Sequence, residues 1–286
     1  MESNAINPVE FRDAQHKQWD SAAVGWKEWS EFAEGAGRHI CERLVELAGV
    51  QPGSRVLDVA AGYGEPALTA ARKAGPEGRV VATDISAEML AFGRERAAAA
   101  GVDNLEFMQS DASSLDFPHE SFDAAVSRWG IIFEPDAEAA AGRIRGFLKP
   151  GARMAIASWG GPDQVPFLSI PMRTTMERFD LSPPPPGTPG PLSRPTPDAI
   201  GGLLEGGGFS DVTVEQDEVV YEFKSPEDFT AYVRAIAAPI RAMIEQHAGD
   251  AQEEAWEAIT QAAAEEGDGS GPLSLSNVVL LASGTA

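Results

Sequence analysis

Residues 56–72 read VLDVAAGYGEPALTAAR, and the fold turns on how this stretch is taken. Val56–Ala60 is a short apolar run of strand character. Gly62-Tyr63-Gly64 punctuates it, and the alanine-rich remainder has the composition of a helix. A strand, a glycine turn and a helix in that order set backbone N–H groups beside a ligand at the helix start. Gly62, Gly64 and Ala67 satisfy G-x-G-x-x-A, and Asp84 lies 20 residues beyond Gly64, where a ribose-binding acid is expected. The turn alone leaves several ligands open, dinucleotides among them.

Outward from this unit, strands and helices alternate. GRVVATD (78–84) reads as a second strand, and Ser86 as the cap of the helix after it, with Glu88 in the first turn. LEFMQSD (105–111) and FDAAVSR (122–128) read as the third and fourth strands. A helix follows at 137–147, and KPGARMAIASW (149–159) gives a turn and a fifth strand. This alternation predicts a parallel sheet covered by helices on both faces. Residues 11–50 read as helices carrying the aromatics Trp19, Trp26, Trp29 and Phe32.

Beyond residue 160 the regularity fails. Residues 182–197 hold eight of the 21 prolines and predict an extended loop. Thr196-Pro197 restarts a helix that ends at the glycines 206–208. Residues 209–223 alternate as a strand, and Ser225-Pro226-Glu227-Asp228 opens another helix. Phe229, Tyr232, Val233, Ile236, Ile240 and Ile244 form its apolar stripe. An acidic helix spans about 251–266, GDGSGP breaks it, and residues 273–283 form a last strand.

With 286 residues the chain has enough length for a sizeable core. Twenty-two Lys plus Arg against 44 Asp plus Glu leave a formal charge of −22, which disfavours a nucleic-acid or anionic-membrane partner. No apolar run reaches a membrane-spanning length. The opening MESNAINPVEFRDAQHKQWD lacks a secretory pattern, and the single Cys41 excludes an intrachain disulfide and a multi-cysteine metal site. These features predict a cytoplasmic protein without a metal. The oligomeric state is not legible.

Three features narrow the ligand. Asp58 lies inside the first strand, where a carboxylate repels pyrophosphate and suits an ammonium group. Met89 falls one turn into the helix after Asp84 and is placed to lie against a purine. Asp111 ends the third strand, where it can accept from an exocyclic amine. A ribose acid, an apolar plate and an acid for an adenine amine describe an adenosine pocket with an amino-acid tail. That ligand is S-adenosylmethionine.

The stretches VLDVAAGYG, VVATDISAEML, MQSDASSLDFPHESFDAAVSRWGIIFEPD and LKPGARMAIASW resemble class I S-adenosylmethionine-dependent methyltransferases. They are similar in particular to the group containing the ubiquinone and menaquinone C-methyltransferases. The resemblance covers roughly residues 55–160. It implies a Rossmann-like, seven-stranded, mostly parallel α/β sheet with its last strand antiparallel. Around one methyltransferase domain it implies an N-terminal helical cap (1–50), a cofactor-binding core (51–160) and a C-terminal half (161–286) with a proline-rich loop (182–197) and a helical lid (225–270). Further implied are contact of Asp58 with the methionine end, wrapping of that end by Gly62–Gly64, Asp84 on the ribose hydroxyls, and Asp111 with the Ala112 N–H on the adenine. Ile85 and Met89 belong to the same cofactor-binding set, and Ser127 or Arg128 lies beside the methionine tail. One position departs from the family's D-x-G-x-G-x-G: Ala60 stands at its first glycine, which is tolerable at negative φ.

Transfer from a sulfonium needs alignment and water exclusion more than a catalyst, and a base only for a weakly acidic acceptor. His16 is the leading candidate base and a weak one. Trp26, Trp29 and Trp129 are candidate walls for an apolar or aromatic small-molecule substrate, or cation–π partners of the sulfonium. The rival readings are a nicotinamide-dependent oxidoreductase and a cofactor-binding subunit without turnover.

Overall fold

The computed structural model describes residues 7–185, 187–267, 269 and 271–286. The start of the opening stretch (1–6), one residue of the proline-rich loop (186) and residues 268 and 270 of the GDGSGP break lie outside the described residues.

The first unit forms as its sequence requires: β1 (Arg55–Val59), the glycine turn, then α3 (Ala67–Ala74). Two helices precede it, α1 (Pro8–Glu28) and α2 (Ser30–Leu47). The alternation continues through β2 (Arg79–Asp84), α4 (Ala87–Ala99), β3 (Leu105–Gln109), β4 (Phe122–Arg128), α5 (Ala137–Phe147) and β5 (Leu148–Trp159). The caps follow the side chains: Ser86 accepts from the Met89 N–H, Thr196 from Ala199 and Ser225 from Asp228. The remaining elements are α6 (Pro166–Arg178), α7 (Pro197–Gly206), β6 (Ser210–Phe223), α8 (Pro226–Ile236), α9 (Ala238–His247), α10 (Gln252–Glu266) and β7 (Leu273–Thr285).

The sheet order is β3-β2-β1-β4-β5-β7-β6. β1 runs parallel to β2 and β4, and β7 runs antiparallel to both β5 and β6. The sheet is thus seven-stranded, mostly parallel and antiparallel at its last strand, as expected.

Two readings need correction. The apolar stripe taken as one helix after Ser225 is split into α8 and α9 at Ala237, because Pro239 cannot donate its N–H to α8. Helix α6 was not read at all, since Pro166 and Pro171 mask its pattern; Pro166 opens the helix and Pro171 is buried within it.

Strand alternation sends side chains to two cores. Leu57, Val59, Ala125 and Ile156 pack with α5 and α7. Val56, Ala124, Val126 and Ala157 pack with α2, α3, α8 and α10. Asp58 and Arg128 fall on the second face by the same alternation. β1 and β4 are the neighbours at which the strand order reverses, and this switch point is where open α/β sheets bind ligands.

Candidate functional site

A cavity of about 1590 Å³ opens beyond the carboxyl ends of β1, β2 and β4, lined there by Ala60, Asp84 and Arg128. Helix α1 covers one side with Arg12, Gln15, Trp19 and Trp26, and the second half of the chain closes the other with Trp159, Phe167 and Tyr221.

The turn beneath it is pinned at both ends. The Ala61 N–H donates to Thr83 O at 2.9 Å, and Gly64 N–H to Ala61 O at 2.9 Å. The chain therefore reverses within four residues, with φ of 58° at Ala60, 54° at Gly62 and 106° at Gly64. The negative φ anticipated for Ala60 does not occur: the residue sits in the left-handed region that an L side chain enters at a cost. Its methyl is accommodated because the facing residue is Gly130, where an added Cβ would lie 2.4 Å from Ala60 Cβ. Gly64 packs toward Leu68, Gly93 and Phe107 and lies outside the cavity lining.

Asp84 closes the loop. Its Oδ2 accepts from the Gly62 N–H at 2.7 Å and its Oδ1 from the Ser86 N–H at 2.8 Å. Burial pushes its carboxyl up to about 6 despite these two bonds. Ile85, Met89, Asp111 and Ala112 line the same cavity. Asp111 also caps a short 3-10 turn by accepting from the Ser113 N–H at 2.7 Å, while its other oxygen faces Arg12 Nε at 3.4 Å. So two segments, 84–89 and 111–112, present a carboxylate, an apolar plate and a second carboxylate to one space.

Asp58 lies beneath the turn, fully buried and outside the cavity lining. Among the described residues neither carboxylate oxygen meets a partner at hydrogen-bonding geometry, and burial lifts its pKa well above the usual range against the opposing pull of Arg128 and the Ala67 N–H. A buried carboxylate without partners is costly unless something cationic answers it. The Ser127 hydroxyl is already engaged, donating to Val59 O at 2.8 Å and accepting from the Ile131 N–H at 3.0 Å. Arg128 does reach the cavity. A buried carboxylate lacking a partner, a cation at the cavity wall and an adenosine-type constellation across from them fit the zwitterionic, adenosine-bearing S-adenosylmethionine.

The three tryptophans separate. Trp129 stacks on Trp159 with centroids 4.3 Å apart and rings 5° from parallel, and Trp26 stacks on Tyr63 at 5.5 Å. Both line the cavity, and among the described residues neither indole N–H has a partner. Trp29 instead packs edge-on to Phe32 and Tyr232, outside the lining. His16 also lies outside it, paired with Asp20 at 3.1 Å.

Several lining residues had escaped the sequence reading. Arg12, Gln15 and Trp19 share one face of α1 with the expected Trp26, a signal present in the sequence. Glu134 carried no such signal. It lines the cavity, and burial, together with the Asp111 charge, raises its carboxyl to about 7 against the pull of Arg12. Tyr221 lines the cavity from β6, and burial pushes its phenol up to about 12.

Residues 56–151 match the family model described as "Methyltransferase domain". Over 144 residues the chain is 37% identical to the ubiquinone/menaquinone biosynthesis C-methyltransferase UbiE of Pseudomonas putida, a match spanning 50% of this chain and 56% of that one. The chain thus spans about half the length of the curated relatives it matches. Among solved structures, the fold is similar to Haemonchus contortus phosphoethanolamine N-methyltransferase 2 in complex with phosphomonomethylethanolamine and S-adenosylhomocysteine. That likeness has a TM-score of 0.56 at 20% identity, over 96% of this chain and 60% of that one. The cyclase SpnF shares the fold as well, with a TM-score of 0.54 at 19% identity over 86% of this chain and 80% of that one. The matched stretch is similar to a methyltransferase domain. Among the described residues no helix is long and apolar enough to cross a membrane.

Proposed function

We propose that this chain transfers a methyl group from S-adenosylmethionine to a carbon or oxygen of a small apolar or aromatic molecule. The observation that carries the reading is the meeting of Asp84, Met89, Asp111 and Arg128 on one cavity above the β1–β4 switch point. When bound, the cofactor supplies a methyl already activated by its sulfonium. In this reading Asp84 and Asp111 hold the adenosine, with Ile85, Met89 and Ala112 beside it. Arg128 answers the carboxylate of its other end, and Asp58, buried beneath the turn and outside the lining, favours the ammonium through its charge. The Gly62–Gly64 turn brings the backbone close enough for this, and Ser127 keeps the end of β4 in place. The rest of the cavity belongs to the acceptor. Trp129 on Trp159, with Trp26 beyond, gives it flat apolar walls. Tyr221 stays protonated at neutral pH and serves as a donor, which suits an acceptor carrying oxygen. Trp29 supports this wall from behind through Tyr232, and His16 stays with Asp20, away from the methyl.

Helices α1 and α8–α10 act in this proposal as one cover over the core, excluding water as transfer requires. The same proposal holds the protein to be cytoplasmic, with Cys41 a buried free thiol, and free of nucleic-acid partners, since a net charge of −22 repels phosphates.

Calorimetric titration with S-adenosylhomocysteine, with NADH in parallel, tests the cofactor assignment. Transfer of labelled methyl to a panel of aromatic and apolar carbon and oxygen acceptors tests the reaction. Micromolar binding of S-adenosylhomocysteine alone, with label in an acceptor, is the expected result. Binding of NADH alone refutes the pocket, and binding without transfer to any acceptor leaves a cofactor-binding subunit.

A further inference from the structure

Helix α2 lies before the matched stretch, yet it sends a carboxylate to the cavity wall. Glu34 and Arg128 form an ion pair at 2.9 Å, their side chains only 11% and 7% exposed. The second guanidinium nitrogen donates to Cys41 Sγ at 3.0 Å, one helical turn pair further along α2. The guanidinium also lies over the Trp129 ring, 5.0 Å from its centroid.

Sheet geometry explains the meeting. Asp58 pairs in register with Val126, and Arg128 lies two residues further along β4 on the same face, the face covered by α2. A long flexible arginine at a cavity wall ordinarily samples many rotamers. Here Glu34, Cys41 and Trp129 hold it on three sides. Burial pushes the Glu34 carboxyl up, but the charge and hydrogen bond of Arg128 outweigh this and keep it below the usual range, so the pair is ionised. Of the five guanidinium N–H donors, those engaged by Glu34 and Cys41 leave others for a ligand. Glu34, Cys41 and Glu65 also bring their ligand atoms within 4.8 Å of one another. The Arg128 cation already sits on two of the three, which leaves no place for a metal ion.

Resting on the cofactor reading above, we propose that Glu34 is a positioning residue. From α2 it fixes the Arg128 guanidinium as the receptor for the carboxylate at the amino-acid end of the ligand. Preorganising that fork removes the cost of ordering it on binding. The discriminating pair of probes is S-adenosylhomocysteine, which carries the carboxylate, and 5′-methylthioadenosine, which keeps the adenosine and thioether but lacks the amino-acid end.

Calorimetry on wild type and Glu34→Gln should show S-adenosylhomocysteine weakened about tenfold, the scale of one charge-assisted hydrogen bond, with 5′-methylthioadenosine within about twofold. The retained binding of the truncated probe reports that the pocket is folded. If Glu34→Gln does not fold, Glu34→Asp carries the test, since the shorter carboxylate no longer reaches the Arg128 fork at 2.9 Å, and the same selective loss is expected. Equal weakening of both probes, or no weakening of either, overturns the positioning role while leaving the cofactor reading in place. Failure of wild type to bind either probe overturns both.

Discussion

Ala60 and Gly130 form a size-matched pair, and exchanging their methyl groups tests the reasoning behind the turn. Gly130 has φ −107°, a conformation open to alanine, so Gly130→Ala introduces no backbone strain. The new Cβ would lie 2.4 Å from Ala60 Cβ, 3.0 Å from Ser127 Oγ and 3.1 Å from Val59 O. Overpacking of this kind costs about 1–3 kcal/mol. In Ala60→Gly, a residue at φ 58° is relieved of about 1–2 kcal/mol of left-handed strain. That gain is reduced by about 0.5–1 kcal/mol, the greater backbone entropy glycine loses on folding. The single variant is therefore expected to be stabilised by about 0.5 kcal/mol. The double variant moves the methyl across the interface and removes the worst clash, so it should recover about 1–2 kcal/mol relative to the sum of the singles. Urea denaturation of the four proteins, compared by midpoint at equal slope, measures this coupling. Additivity within about 0.5 kcal/mol would show that the two residues do not oppose each other and would refute the account of why alanine is tolerated at position 60.

Asp84 gives a pH dependence with a definite sign. Its carboxyl titrates near 6 in the folded chain against an ordinary 3.8, so the folded state holds a proton that the unfolded state has released. Stability contributed by this group accordingly declines as pH rises from about 4 to 6. Ligand hydroxyls donate to the ionised form, so S-adenosylhomocysteine affinity should fall by up to about tenfold per pH unit below about 6. Calorimetry from pH 5 to 8 checks this, and an Asp84→Asn variant that kept the same step would assign it elsewhere. At the lid, a Cβ on Gly25 would lie 2.1 Å from Ala235 O, so Gly25→Ala must lift α1 off α8. A loss of about 2–3 kcal/mol and faster proteolytic cleavage within α1 are expected; a cleavage pattern identical to wild type would mean that α1 does not depend on this close approach.

The core was legible from local chemistry. Alternating strands, a glycine turn, and Ser and Thr caps are short-range features, and each specifies its own element without help from distant residues. Hence the succession of strands and helices around VLDVAAGYG, with Asp84, Met89 and Asp111 at the ends of their strands or the start of the next helix, follows from reading segments in turn. Helix α6 and the break between α8 and α9 were not legible in the same way, because prolines at 166, 171 and 239 obscure the apolar period without forbidding the helices. The backbone sign at Ala60 lay beyond the sequence for a different reason: its tolerance depends on Gly130, 70 residues away. The separation of Trp29 from Trp26 and Trp129 depended on which face of α1 and α2 met α8, a matter of packing. The contact of Glu34 with Arg128 depended on α2 covering one face of β1 and β4. The sequence by itself determined the class of fold and the elements of the adenosine-type pocket, since these are written in turns, caps and periodicity. Tertiary structure alone decided which buried charges meet and which aromatics face the cavity, because both are set by contacts between helices and strands that no local pattern encodes.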